Sequence, residues 1–226
     1  MSKDKEFILR SVMSVFIVAF TLSFIYLFNE FTSYISIFFI GLLMACEWAN
    51  ITNKKEETKN KWNLLGSVYI LLTLVPVLLI KFKLGNKFLM WFILMVWCVD
   101  TFAYIVGNKM HLGNTKITKI SPKKSYEGLF GGVIAACVFC YIFASYYLPS
   151  YKNLLLLITP ILAILEQTSD ITESYIKRKF EVKDSGTIIP GHGGMLDRFD
   201  GFLFTGITFS IVFKKSLIFS KIILKH

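Results

Sequence analysis

Asp197 and Asp200 stand three residues apart around Arg198, just after a nine-residue stretch, Gly186-Thr187-Ile188-Ile189-Pro190-Gly191-His192-Gly193-Gly194. Paired carboxylates offer the hard oxygens that Mg²⁺ prefers, and they can hold it against a nucleotide's phosphates. Glycines let backbone N–H groups come close to an anion, although four glycines and a proline could also make a plain tight turn. Upstream, Glu166, Asp170, Glu173 and Lys177 are spaced four, three and four apart, with Ser174 beside them. On a continuous helix that spacing forms one polar stripe, and it emerges from the apolar run 153–165. Polar groups in a bilayer helix normally face a protein interior or a wet cavity. For Glu173 and Lys177 a helix end leaving into water is the other reading.

Seven of the fifteen acids lie between Glu166 and Asp200. The chain has three arginines against 22 lysines, and two of the three, Arg178 and Arg198, fall in the same segment. Arginine grips phosphate with a planar fork that lysine cannot copy. A second polar loop carries Ser121-Pro122-Lys123-Lys124-Ser125-Tyr126-Glu127-Gly128. Before it, Asp100 sits inside the apolar run Trp91–Gly107, an intramembrane acid and so a functional candidate. Glu47, beside Trp48 at the end of an earlier apolar run, reads as an interfacial residue.

The elements that must position these groups are membrane helices. Hydrophobic residues make up 54% of the 226, charged residues 18%, and mean hydropathy is +0.58. Soluble domains carry roughly 25% charged residues, so disordered chains, disulfide scaffolds and most soluble folds are excluded. The net charge of +10 would suggest nucleic acid in a soluble domain; here it belongs in loops, and no nucleic-acid partner is expected. Apolar stretches at about 11–28, 32–50, 63–80, 87–107, 129–148 and 153–169, with a seventh from Gly201 to Phe213, are each near the roughly 20 residues a bilayer crossing takes. The fold expected is an all-α polytopic bundle of about seven transmembrane helices. Lys3, Lys5 and Arg10 precede the first run without a small-x-small cleavage site, so it is read as a retained span. Lys214-Lys215 interrupt the last, which is read as a span with snorkelling lysines in preference to an amphipathic interfacial helix. With the N-terminus inside, seventeen Lys and Arg fall on the cytoplasmic side and eight on the other, placing loops 108–128 and 170–200 in the cytoplasm. Cys137-x-x-Cys140, among Ala and Phe, is read as helix packing.

Ser174-x-x-Lys177-Arg178-x4-Lys183-Asp184-x-Gly186-x-x-Ile189-Pro190-Gly191-His192-Gly193-Gly194-x-x-Asp197-Arg198-x-Asp200 resembles the signature of the phosphatidate cytidylyltransferase (CDP-diacylglycerol synthase) family. Asp100-x-x-Ala103-Tyr104-x-x-Gly107 and Ser121-Pro122-Lys123-Lys124-Ser125-x-Glu127-Gly128 resemble two further blocks of that family. The likeness covers residues 90–210; before that it is compositional. Ser169 stands where glycine is expected and Ser125 where threonine is common, and the N-terminal part is shorter than in many bacterial members. Residues 1–86 are accordingly read as N-terminal transmembrane helices and 87–226 as the catalytic transmembrane domain.

The resemblance implies a bacterial cytoplasmic-membrane enzyme that converts CTP and phosphatidate to CDP-diacylglycerol and pyrophosphate. It implies Mg²⁺, aided by a monovalent cation such as K⁺, and a homodimer. Asp184, Asp197 and Asp200 are assigned to the cation site, with Asp100 and Asp170 as further candidates. Lys177, Arg178, Lys183 and Arg198 are assigned to phosphates. Gly191, His192, Gly193 and Gly194 would shape the nucleotide pocket, with Ser174, Ser121, Lys123 and Lys124 contributing to substrate binding. Two other classes fit worse. The alcohol phosphotransferase motif that opens like Asp197-x-x-Asp200-Gly201 needs two more downstream acids, and none follows Asp200. An ion transporter would show inverted repeats, and none is seen. A CTP-dependent relative acting on another lipid phosphate or alcohol stays open.

Overall fold

The computed structural model describes residues 3–53, 59–109, 115–118, 121, 124–191 and 193–223. The described chain is helical: α1 (Lys3–Tyr26), α2 (Glu30–Thr52), α3 (Lys59–Leu79), α4 (Asn86–Tyr104), α5 (Tyr126–Tyr147), α6 (Lys152–Lys179), α7 (Leu196–Phe199) and α8 (Phe202–Ile223). A π-helical turn, Ile80–Leu84, ends α3, and another, Ile105–Lys109, ends α4. Six helical stretches among the described residues are long and apolar enough to cross a membrane: Leu9–Tyr26, Glu30–Thr52, Asn60–Leu84, Asn86–Asn108, Tyr126–Tyr147 and Pro149–Lys179. The chain is a multi-pass membrane protein. At 22 residues α8 spans about 33 Å, and its Thr205, Phe209 and Phe213 are fully buried against the bundle.

Local chemistry sets the helix starts. Asn29 caps α2, its Oδ1 accepting from Thr32 N at 2.9 Å, and Ser125 caps α5 by accepting from Gly128 N at 3.1 Å. Inside a bilayer helices gain little from burying apolar surface against one another, so close packing matters more. Gly128, Gly132, Ala136 and Cys140 recur every four residues along α5 and are buried, giving a stripe of small side chains on the helix that packs closely on both α4 and α6. That stripe explains Cys140; Cys137 is half-buried, and the cysteines are free. Aromatic rings lock α8 to α4: Phe209 stacks on Trp91 at 5.2 Å and on Phe92 at 5.5 Å, and Phe213 meets Phe88 at 5.0 Å.

One boundary differs from the sequence expectation in an instructive way. The sixth apolar run ends at about residue 169, yet α6 continues to Lys179, so the first ten residues of the polar segment 170–200 are helix. The polar stripe carries the helix on past its apolar part. At the opposite end of the bundle the Lys81 ammonium is buried against α1. It donates to the carbonyl oxygens of Phe24 and Phe28 (2.9 Å for Phe28) and to Ser33 Oγ (2.8 Å), over the Phe24 ring.

Candidate active site

Because the spans alternate in direction, the N-terminal ends of α1, α3 and α5 lie at the same face as the C-terminal ends of α2, α4 and α6. The loop leading into α8 joins them there. Along α6 the stripe turns inward rather than out to water. Glu166 and Glu173 are buried, and Lys177 is 9% exposed, which removes the reading of Glu173 and Lys177 as a helix end dissolving into solvent. Lys177 Nζ lies 2.6 Å from Asp197 Oδ1 and 3.2 Å from Glu173 Oε1, an ammonium shared by two carboxylates. Tyr69 of α3 donates to the other Glu173 oxygen at 3.1 Å. One helical turn earlier, Asp170 pairs with Lys124, which also reaches Gln167 O at 3.4 Å. Ser174 Oγ lies 3.4 Å from Asp170 Oδ1.

The glycine-rich turn is built around a carboxylate from a distant helix. Glu47, 1% exposed, accepts from Ser185 Oγ (3.1 Å), Met195 N (2.8 Å) and Leu196 N (2.9 Å). A Cβ on Gly186 or Gly194 would come within 2.7 Å of its carboxylate oxygens, so only glycine leaves it room. Asp197 fixes the same turn: its Oδ2 accepts from Ser185 N and Gly194 N, each at 3.1 Å. Burial alone would raise its carboxyl, but the hydrogen bond and charge of Lys177 and the N–H groups of Gly194 and Ser185 outweigh that and hold it below the ordinary value. Ile189 N donates to Gly193 O at 2.9 Å and ties the two sides of the turn together.

A pocket of about 400 Å³ opens here, lined by Arg10, Lys177, Asp184, Gly191, Gly193, Asp197, Arg198 and Asp200. All seven lining residues from Lys177 onward are among those singled out in the sequence. Asp170, Lys124 and Ser174 stand beside it on α6 and its neighbouring loop. Gly194 is buried behind the turn, and Lys183 is exposed beside Asp184. Ser121 shapes the loop before α5 through its backbone, its N donating to Thr118 Oγ1 (3.1 Å) and its O accepting from Lys124 N (3.0 Å). Arg178 is turned elsewhere, donating to Val182 O at 3.0 Å. Lys123 and His192 lie outside the described residues. Three residues were not foreseen here: Tyr69, Glu47 and Arg10. Glu47 carried the same signal as Asp100, an acid in an apolar run, and Arg10 is the third of only three arginines.

The sequence profile described as the cytidylyltransferase family matches residues 61–216. The chain belongs to the cytidylyltransferase family. It is 35% identical over 217 residues to the phosphatidate cytidylyltransferase of Rickettsia typhi, covering 92% of this chain and 93% of that one. It is 36% identical over 219 residues to the Rickettsia prowazekii protein of the same name, with the same coverage. The Bacillus subtilis phosphatidate cytidylyltransferase is 45% identical over 122 residues, 53% of this chain but 45% of its own. The short N-terminal part is thus shared with the rickettsial relatives.

As a cytidylyltransferase, a nucleotidyl-transferring enzyme, the chain must manage several phosphates, and its acids bear on whether a divalent cation fits. Glu166 Oε2 accepts from Gln167 Nε2 at 2.8 Å, while its Oε1 is buried with no donor and has the Asp100 carboxyl as neighbour. Asp200, at the head of α8, is half-buried on the pocket wall; burial first, then the charges of Glu173, Asp170 and Asp100, push its carboxyl well above the usual range against the pull of Lys177. Carboxyls crowded in this way gain when a cation enters among them. Among the described residues no three His, Cys, Asp or Glu side chains close on one point. Mg²⁺ does not require that, since it takes one or two carboxylates and completes its shell with substrate phosphates and water. The donor set fits Mg²⁺ carried in with a nucleotide.

Proposed function

We propose that the chain transfers the cytidylyl group of CTP to phosphatidate, giving CDP-diacylglycerol and pyrophosphate. The observation that carries this reading is Lys177, held between Glu173 and Asp197 in a pocket with Arg198 and Asp200, at the membrane face where the three family-like blocks meet. The near full-length likeness to the rickettsial phosphatidate cytidylyltransferases supports the choice of acceptor.

The nucleophile is a phosphate oxygen of phosphatidate, already anionic, so no side chain has to remove a proton from it. It bonds to the α-phosphorus of CTP while the bond from that phosphorus to the α–β bridging oxygen breaks. Pyrophosphate leaves with the electron pair. Two anions must be brought together, so the protein's part is positioning and charge neutralisation. Lys177 and Arg198 hold phosphate oxygens in the pocket, with Lys124 and Lys183 at its edge. Asp170 and Asp200, with Asp100 and Glu166 behind them, are the carboxylates that would hold Mg²⁺, and Asp184 adds an oxygen at the rim. When bound, Mg²⁺ supplies neutralisation of the triphosphate charge, with K⁺ as a second contributor. Asp197, its oxygens filled from within the protein, keeps Lys177 and the turn 185–194 in register. The N-terminus and the pocket face are assigned to the cytoplasm, where CTP is available.

The test is an assay in detergent micelles with labelled CTP and phosphatidate, with and without Mg²⁺, following lipid-soluble nucleotide. Mg²⁺-dependent product is expected from the wild type, and Asp200→Asn should lose about a hundredfold or more at equal protein level. Product from another lipid phosphate or alcohol but none from phosphatidate would overturn the acceptor. Full activity in Asp200→Asn would overturn the cation assignment.

A further inference from the structure

Arg10 lines the same pocket as Lys177, Arg198 and Asp200, yet it comes from α1, outside the residues the family profile matches. An arginine before a first span is ordinarily a topology signal sitting among headgroups. Two observations set this one apart. It forms a wall of the pocket, and the α1 backbone is pressed onto the glycine turn at this point. A Cβ on Gly191 would lie 3.0 Å from Arg10 Cγ and 3.7 Å from both Arg10 N and Cα. Gly191 also has φ +76°, so the turn and the helix meet through a position that suits glycine on both counts.

The direction from which Arg10 enters decides its ligand. The apolar run of α1 starts directly after Arg10, so Arg10 stands at the bilayer boundary. That stretch is 11% buried, against 33–44% for the five other spans, and Val12, Val15, Phe16 and Leu22 are exposed along it. The wall made by α1 is therefore the side of the pocket that faces lipid. A water-soluble nucleotide enters from the loop side, past Asp184 and the turn 185–194. A substrate with its acyl chains still in the membrane presents its headgroup on the α1 side. Its phosphate monoester carries two charges and three terminal oxygens, which suit a guanidinium fork.

We propose that Arg10 binds the phosphate of the lipid substrate and so completes the pocket from the membrane side. The inference rests on the functional reading above and names the residue by which the acceptor is held. Arg198 and Lys177 then serve the nucleotide, and the two phosphates meet in the pocket that both arginines line.

The test compares wild type, Arg10→Gln and Arg10→Lys in mixed micelles, varying the surface concentration of phosphatidate and, separately, CTP. Arg10→Gln should raise the KM for phosphatidate about tenfold or more and leave the KM for CTP within about twofold. Arg10→Lys keeps the charge without the fork and should raise the phosphatidate KM by a smaller factor. If Arg10→Gln does not accumulate, Arg10→Lys carries the test alone. An unchanged phosphatidate KM in the variants, or a rise in the CTP KM instead, would overturn the assignment. A wild type inactive on phosphatidate overturns the functional reading itself, whereas an active wild type with indifferent variants overturns only the role of Arg10.

Discussion

Two lysines are buried among the described residues of this membrane protein, and they are buried in opposite ways. Lys177, at the pocket face, sits between the carboxylates of Glu173 and Asp197. Lys81, at the far face, is surrounded by dipoles and a ring: the carbonyls of Phe24 and Phe28, Ser33 Oγ and the Phe24 π-face. The carboxylates around Lys177 can be compensated by other cations, so its ammonium can be drawn toward a phosphate and still leave a balanced cluster. No acid pairs with Lys81 among the described residues; its charge goes into tying the end of α1 and the α1–α2 connection to α3. On the proposed function, the same residue type is chemical at one end of the bundle and mechanical at the other.

The sharpest way to break this comparison is Lys177→Met. It removes the pocket cation and leaves Glu173 and Asp197 facing each other, so turnover should fall about a thousandfold in the micelle assay. A residual rate near wild type would make Lys177 as mechanical as Lys81. Glu47→Ala comes next, because it leaves the Met195 and Leu196 amides without their acceptor, each costing about 1–3 kcal/mol. The turn should loosen and activity drop about a hundredfold, with Glu47→Gln, which keeps one acceptor oxygen, recovering part of it. Lys81→Met is the counterpart at the far face: a loss of about 1–3 kcal/mol in thermal unfolding, with turnover within about threefold of wild type. A large loss of turnover in Lys81→Met, at normal stability, would show that the far clamp also controls the pocket.

The smallest effect is expected at Ser169, one of the departures from the family pattern. Its Oγ donates to Leu165 O (2.9 Å) and accepts from Phe204 N (3.0 Å), so it serves as a side-chain cap for the first turn of α8. Ser169→Gly should cost about 1 kcal/mol in thermal unfolding and leave turnover within about twofold.

The spans were readable because a bilayer demands runs of apolar residues, and the α6 stripe because helical spacing puts residues 166, 170, 173 and 177 on one face. The pairing of Lys124 with Asp170 was not readable in detail, although both residues were picked out as members of the site. What escaped was what depends on chain segments far apart in sequence. Glu47 looked interfacial because its donors, Met195 and Leu196, lie almost 150 residues later. Arg10 looked like a topology signal because no periodicity links α1 to Gly191. Arg178 shows the converse: its type promised phosphate binding, but the tight end of α6 brings the Val182 carbonyl to it first.

The Glu47 contact also bears on how the chain is built into a bilayer. Insertion proceeds from the N-terminus, so α2 carries its carboxylate into the membrane long before residues 185–196 are synthesised. Until they arrive the carboxylate must stay in contact with water at the end of the helix, which keeps the first hairpin from settling fully against its neighbours. The loop 185–196 is then the latch that lets the α1–α2 hairpin seat, and the same contact holds the turn that borders the pocket.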